Sequence, residues 1–524
     1  MNNIKLFFKN HAEWIVKALI MSFVPVVRCL IYCGVQGYGI SDVFLPGSEW
    51  NDELFYFKQV EAILEYGYPQ GYFGFNESHA AYLSFAAWSP VLVFPWVLWG
   101  MLFGWNLLSP IFCNLFIMSL TFFAFVLLVK PRKRQMAVLA MMYCLFPLFT
   151  RYILSGMPEI ICFSLTIVFY GIAVNYLKFG VAKGKLVWMF VLAVLMTLMR
   201  PYLILFMFLP IFLWISESKK WWSVVGSLAI MGGTFLVYVL IHTLLGAEYL
   251  EPLFSVEWLT VMLENGLFEG IKFILYMLGH RGIEFIRSMV EAFRSGYVMG
   301  TFFAVFTAIA VLFITQLIRA IRKKDKTEGV ICGHMVFSCL GMLAALLLMY
   351  GLYDGRRHLM TFVAVGIFLF SILETKYFEK AAVIGILCLY LFTIKGDSPY
   401  DYQVPFVSVD KVETMEYWEQ TFDQYIEVVE ENVPNYDNVV IWVLTDTRQD
   451  APEKSVSTEW QALYALPEGM GISCCFSQYV NDNIGQLQSK YLVTVSEGSV
   501  DLHCRQAGFE EKGRRGDLVF YKLR

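Results

Sequence analysis

Ser48-Glu49-Trp50-Asn51-Asp52-Glu53-Leu54-Phe55-Tyr56 places two adjacent carboxylates, Asp52 and Glu53, just beyond an apolar run at residues 14–35. A bilayer core takes about 20 apolar residues, so a run of that length spans it. The acid pair then sits at the mouth of a membrane-embedded body, where charge is costly and by default marks function.

Outward from that stretch, the chain reads as one membrane protein. It has 524 residues, 58% of them hydrophobic and 16% charged, with 46 Phe and 14 Trp. That composition excludes a string of soluble domains. Charge is unevenly spread: residues 396–524 hold 22 acids and 10 bases, and residues 1–395 hold 22 acids and 30 bases. A basic membrane body (1–395) is therefore followed by an acidic, soluble domain (396–524). Lys5 and Lys9 ahead of the first run, with no small-residue cleavage site behind it, read as a signal anchor.

Further apolar runs at 106–129, 136–152, 160–177, 186–200, 201–216, 221–244, 297–318, 330–350, 359–373 and 379–394 bring the expectation to about eleven spans. The positive-inside rule orders them. With the N-terminus in the cytoplasm of a bacterial cell membrane, Lys130–Arg134, Lys178–Lys185, Lys219-Lys220, Arg319–Lys326 and Lys376/Lys380 all face inward. The C-terminal domain then lies outside. These basic runs are topology signals, so no nucleic-acid partner is expected. The assignment requires that residues 83–104, interrupted by Pro90 and Pro95, form an interfacial or re-entrant segment inside a long first outer loop, about 36–105. Arg28, within the first run, is expected to snorkel outward.

The C-terminal domain reads as α/β: a helix at 412–433, buried strands at 438–445 and 490–495, and a last strand at 517–522 after a hairpin turn at Gly513–Gly516. Eight of the 11 cysteines lie in the apolar body. Cys474, Cys475 and Cys504 lie in the C-terminal domain, where one disulfide to Cys504 is open and no metal spacing is present.

Charged residues on the outer side then define a candidate site. Asp52 and Glu53 come from the first outer loop and Glu159 from the second. Arg356-Arg357-His358, in a short outer loop, break the charge rule and suggest a bound anion. Arg200, before Pro201, either caps a helix or joins them. A carboxylate can take a proton from an attacking hydroxyl or amine, and guanidiniums can hold the phosphate of a lipid-linked leaving group. That chemistry is group transfer from a polyprenyl-phosphate carrier. Tyr56, Lys58, Glu77, His79, Arg151, His280 and Arg281 are weaker candidates for acceptor or donor contacts.

At this point the chain resembles the membrane-embedded GT-C glycosyltransferases, in the branch of protein O-mannosyltransferases and lipid A aminoarabinose transferases. Asn51-Asp52-Glu53-Leu54-Phe55-Tyr56 is similar to their Asp-Glu-x-x-Tyr element, and Met157-Pro158-Glu159 falls where a second acid is expected. Phe103-Gly104-Trp105-Asn106 resembles the turn before their second span, and Arg356-Arg357-His358-Leu359 resembles their late outer Arg-Tyr-Leu element. The basic-Pro-Pro-Leu element is absent, with Trp88-Ser89-Pro90 nearest to it, and the second acid is Glu rather than Asp. The resemblance implies an inverting transferase on the outer membrane face. Asp52 would be the general base, Glu53 and Glu159 would position acceptor or a divalent metal, and Arg356 and Arg357 would hold the leaving phosphate. The acceptor is a cell-envelope polymer, lipid or protein, and metal dependence stays open. Two rival readings are a transporter or flippase of lipid-linked saccharides and a non-enzymatic envelope scaffold.

Overall fold

The computed structural model describes residues 2–48, 50–67, 73–77, 89–245, 255–295, 298–352, 356–375, 380, 403–429, 436–448 and 451–524. Among them, seven helices are long and apolar enough to cross a membrane: Ala12–Val35, Ser109–Val129, Glu159–Phe179, Pro201–Ser218, Trp221–Leu244, Phe302–Lys323 and Lys326–Leu348. Lys133–Leu145 and Pro147–Ile153 form one more span if taken together, bent by 69°. The bend has a local cause. Pro147 holds Phe146 extended (φ −96°, ψ 101°) and lacks the amide that would continue the helix. Arg28 is spent here: its Nε donates to Cys144 O at 2.9 Å, satisfying a carbonyl beside the bend instead of snorkelling outward.

Two expected segments turn out short. Leu359–Ile372 has 14 residues, with every residue from Leu359 to Ser371 buried. At about 1.5 Å per residue it covers only ~21 Å, so it is a core helix rather than a lipid-facing one. Within 83–104, the structure places a 3₁₀ turn at Pro90–Leu92 and a helix at Phe94–Phe103, too short to cross. Residues 78–88 and the expected span 379–394 lie outside the described residues.

The basic loops expected on one side do meet at one end of the body. Pro131, Arg132, Gln135, Lys178, Glu328 and Glu374 share a cleft of about 260 Å³. Within it Arg132 pairs with Glu374 at 3.0 Å. The candidate acids gather at the opposite end of the helices. There the amphipathic helices Glu257–Asn265 and Leu267–Ser295 follow the span Trp221–Leu244.

The C-terminal domain is built on a six-stranded sheet in the order β1-β5-β2-β6-β8-β7. Its strands are β1 Phe73–Phe75, β2 Val439–Val443, β5 Gly471–Cys475, β6 Tyr491–Val495, β7 Glu510–Arg515 and β8 Leu518–Lys522, with a separate hairpin of β3 Thr445–Arg448 and β4 Ala451–Ser457. β1, β5, β2 and β6 run parallel, whereas β8 is antiparallel to both β6 and β7. β2 and β6 are buried along their whole length, as strands covered on both faces must be. Ile441, Val443, Leu492 and Val519 pack under Val480 and Val500 from the short helices Ser477–Asn483 and Ser499–Ala507. Trp442, Val493 and Phe520 belong to the other core, with Trp418 and Phe422 of helix Val409–Tyr425 and the membrane body itself.

Three sequence expectations are corrected here. The hairpin turn is Gly516-Asp517, with Gly516 at φ +59°, and residues 513–515 belong to β7. The expected helix is shorter and earlier, Val409–Tyr425. Strand β5 and the β3–β4 hairpin, missed in the sequence, belong to the domain. Cys474, Cys475 and Cys504 are buried free thiols. Moreover β1 comes from the segment between the first two spans, so that segment is stitched into the C-terminal sheet.

Candidate active site

Asp52 and Glu53 open a helix, Asn51–Tyr66, whose left-handed terminator is Gly67 (φ +77°). Acids in a first turn are favoured by the amide ends of the helix. The helix is wedged between the membrane body and the Trp460–Ala465 turn of the C-terminal domain, and is buried on most of its circumference. Successive helical residues point about 100° apart, so the two acids go to different partners.

Asp52 forms an ion pair with Arg357; both side chains are slightly more than one quarter exposed. Glu53 turns inward, wholly buried, and meets Arg151 at 3.3 Å. Arg151 also donates to Ser48 Oγ at 3.1 Å and lies 3.6 Å from the centroid of the Trp50 ring. Burial pushes the Glu53 carboxyl up, opposed by Arg151, the Gly156 amide and Ser48. Gly156 is needed at this contact: a Cβ there would lie 3.0 Å from that of Glu53. Glu53 and Arg151 thus anchor the helix and do not join Asp52.

The second acid does join it. Asn114 Nδ2 donates to the carbonyls of Tyr152, Ser155 and Met157 at 3.2, 3.2 and 3.3 Å, fixing the turn before Glu159. Glu159 accepts from Arg200 at 2.8 Å. Pro201 forces Arg200 out of the helix into extended backbone (φ −144°, ψ 116°). Arg200 also reaches the Tyr56 hydroxyl at 3.5 Å. Tyr56 lies at the centre: burial raises its phenol, and Arg200, Asp52, Glu159 and Arg357 all act on it. Arg357 is in turn held charged, the cost of burial being outweighed by Asp52, Glu159 and Tyr56.

His358 packs against Tyr202 and Tyr350, ring centroids 4.8 and 5.2 Å apart. Burial, then Arg200 and Arg357, hold its imidazole well below the usual range, so it is neutral rather than a third cation. Arg356 begins the same 3₁₀ turn, Arg356–His358; its side chain and His79 lie outside the described residues.

The remaining candidates are engaged elsewhere. Lys58 is buried, paired with Glu61 at 2.7 Å and donating to Leu466 O at 3.2 Å. Glu77 is buried and accepts from the amides of Gln488 and Ser489 at 3.0 and 2.6 Å. Both tie the first outer loop to the C-terminal domain. Arg281 donates to Leu347 O and Tyr350 O at 3.1 and 2.9 Å, capping the helix Lys326–Leu348. His280 is exposed, beside Tyr276. Among the described residues there is no group of three or more His, Cys, Asp or Glu that could hold a metal ion. Asp52, Glu53 and Glu159 each face their own guanidinium, which does not fit a shared divalent cation.

No family model matches the chain, and no curated protein matches it. Solved structures do. The chain is similar to the apo oligosaccharyltransferase of Archaeoglobus fulgidus, with 12% identity and a TM-score of 0.46, over 93% of this chain and 69% of that one. It is similar to ArnT from Cupriavidus metallidurans bound to undecaprenyl phosphate, with 9% identity and a TM-score of 0.41, over 99% and 98%. A third is the mycobacterial arabinofuranosyltransferase AftD, with 11% identity and a TM-score of 0.41, over 98% of this chain and 41% of that one.

Proposed function

We propose that the protein is an integral-membrane glycosyltransferase of the outer membrane face, moving a sugar from a polyprenyl-phosphate donor to a cell-envelope acceptor. The observation that carries this reading is the joining of Asp52–Arg357 to Glu159–Arg200 through Tyr56. Four separate segments thereby contribute two carboxylates and two guanidiniums to one end of the helical body, which supports a single site.

In the reaction, an acceptor hydroxyl attacks the anomeric carbon while the bond from that carbon to the phosphate oxygen breaks. The electron pair leaves on the phosphate, where Arg357 and Arg200 stabilise it. The hydroxyl proton passes to Asp52. Asp52 and the donor phosphate compete for Arg357, so donor binding frees the carboxylate for its role as base. Glu159 holds Arg200 in place, and the displacement inverts the anomeric centre.

The test is sugar transfer by the full chain in nanodiscs, supplied with a panel of polyprenyl-phosphate sugars and an envelope extract as acceptor. Wild type transfers one or more of them, and Asp52→Asn loses transfer while still binding donor. Transfer by Asp52→Asn at the wild-type rate would remove Asp52 from the chemistry.

A further inference from the structure

A second concave surface lies close to the site. It is a groove of about 500 Å³ between the first outer loop and the C-terminal domain, floored by the turn Leu45–Gly47 and walled by the helix Val409–Tyr425 and the turn Trp460–Ala465. That volume is in the range of small-molecule sites. Gly47 is five residues before Asp52, which puts the two backbones within about 18 Å of one another even if the chain between them were fully extended.

The lining is chemically specific. Lys411 runs over Gly47 so closely that a Cβ at that glycine would meet Nζ at 2.7 Å. No carboxylate pairs with this ammonium among the described residues. Trp418 is wholly buried and its indole N–H has no acceptor among them; the Gln461 side-chain oxygen likewise has no donor. An unmet buried polar group costs about 1–3 kcal/mol, a cost that a ligand's hydrogen bonds would offset. Asp410 and Glu459 add carboxylates, and Trp460 offers a half-buried ring.

We propose that this groove binds a segment of the acceptor, and that the acceptor is an oligosaccharide chain. The inference rests on the glycosyl-transfer reading above and names its acceptor class. Hydroxyl-rich ligands need donors and acceptors interleaved over a short distance, together with an apolar face against which a sugar ring can lie. Lys411, Gln461, Trp418 and the two carboxylates supply the former, and Trp460 supplies the latter. One ammonium and two carboxylates in the lining leave it net negative, which does not suit a polyanion, so the fitting chain is neutral or amine-bearing. The polar and apolar parts of the lining are about even, a mixture that suits the hydroxyls and ring faces of a sugar.

The test uses full-length protein in nanodiscs on an array of short neutral, amine-bearing and uronic-acid-bearing oligosaccharides, with a peptide array beside it. Wild type binds neutral or amine-bearing glycans. Trp460→Ala and Lys411→Met each weaken that binding by at least about tenfold. Lys411 is exposed, so its variant keeps the test alive if Trp460→Ala misfolds. Binding of peptides alone, of no glycan, or of glycans equally in both variants overturns the proposal. Asp52→Asn separates the two readings. It keeps array binding while losing transfer; if wild type transfers sugar from none of the polyprenyl-phosphate donors, the glycosyl-transfer reading falls whatever the array shows.

Discussion

The Asp52 carboxylate and the Arg357 guanidinium, 305 residues apart in sequence, form one ion pair at the end of the helical body opposite the basic loops. The pair couples the helix Asn51–Tyr66 to the turn before the buried helix Leu359–Ile372. In the proposed transfer reaction, donor binding exchanges the partners within it.

Replacing the acid tests the base role directly. Positioned general bases contribute about 10²–10⁴ in rate, so Asp52→Asn lowers the transfer rate constant by at least about 100-fold. Single-turnover transfer with saturating donor separates that loss from any change in binding.

Glu53 and Arg151 are predicted to matter for stability rather than chemistry. Removing one member of a buried pair costs about 3–5 kcal/mol, whereas replacing both with apolar residues is often neutral. Arg151→Met therefore unfolds well below wild type in nanodiscs, and Glu53→Met/Arg151→Met recovers most of the loss. Failure of the double variant to recover would show that the pair does more than balance itself.

Pro201 is predicted to act on the site from outside it. Pro201→Ala lets Arg200 continue the helix Lys183–Met199 and draws its guanidinium away from Glu159 and Tyr56. Transfer falls, and thermal stability falls with it because Glu159 is left buried without its partner. Equal transfer by the variant would mean that packing, not Pro201, sets the Arg200 backbone.

His358 gives the pH dependence a sign. Its folded imidazole is held far below 6.5 by burial and by Arg200 and Arg357, so the unfolded chain binds the proton more readily. Stability from this group is complete above about pH 6.5 and is lost as pH falls below it, by up to about 1.4 kcal/mol per unit. Thermal unfolding between pH 8 and 5 shows that decline in wild type and a shallower one in His358→Asn.

Much of the candidate site was legible because an ionisable residue in so apolar a chain needs a reason. Asp52, Glu159, Arg200 before its proline and the late basic loop all stood out on that ground. Which member of an adjacent pair enters the site was not legible, since helical neighbours diverge and only the partners reveal their faces. So Glu53 went to Arg151. Lys58 and Glu77 looked like site residues for the same reason that Asp52 did. Their partners lie 408 and 411 residues away in the C-terminal domain, a distance that no local pattern spans. Strand β1, Phe73–Phe75, is three residues long and too short to show alternation. Its place in the sheet depends wholly on β5.

Binding of undecaprenyl phosphate to nanodisc-embedded protein tests the exchange at Arg357 most directly. Asp52→Asn removes the competitor for the guanidinium and binds this lipid more tightly than wild type does, and Arg357→Ala binds it at least about tenfold more weakly. Wild-type affinity in Arg357→Ala, or weaker binding in Asp52→Asn, would contradict the account.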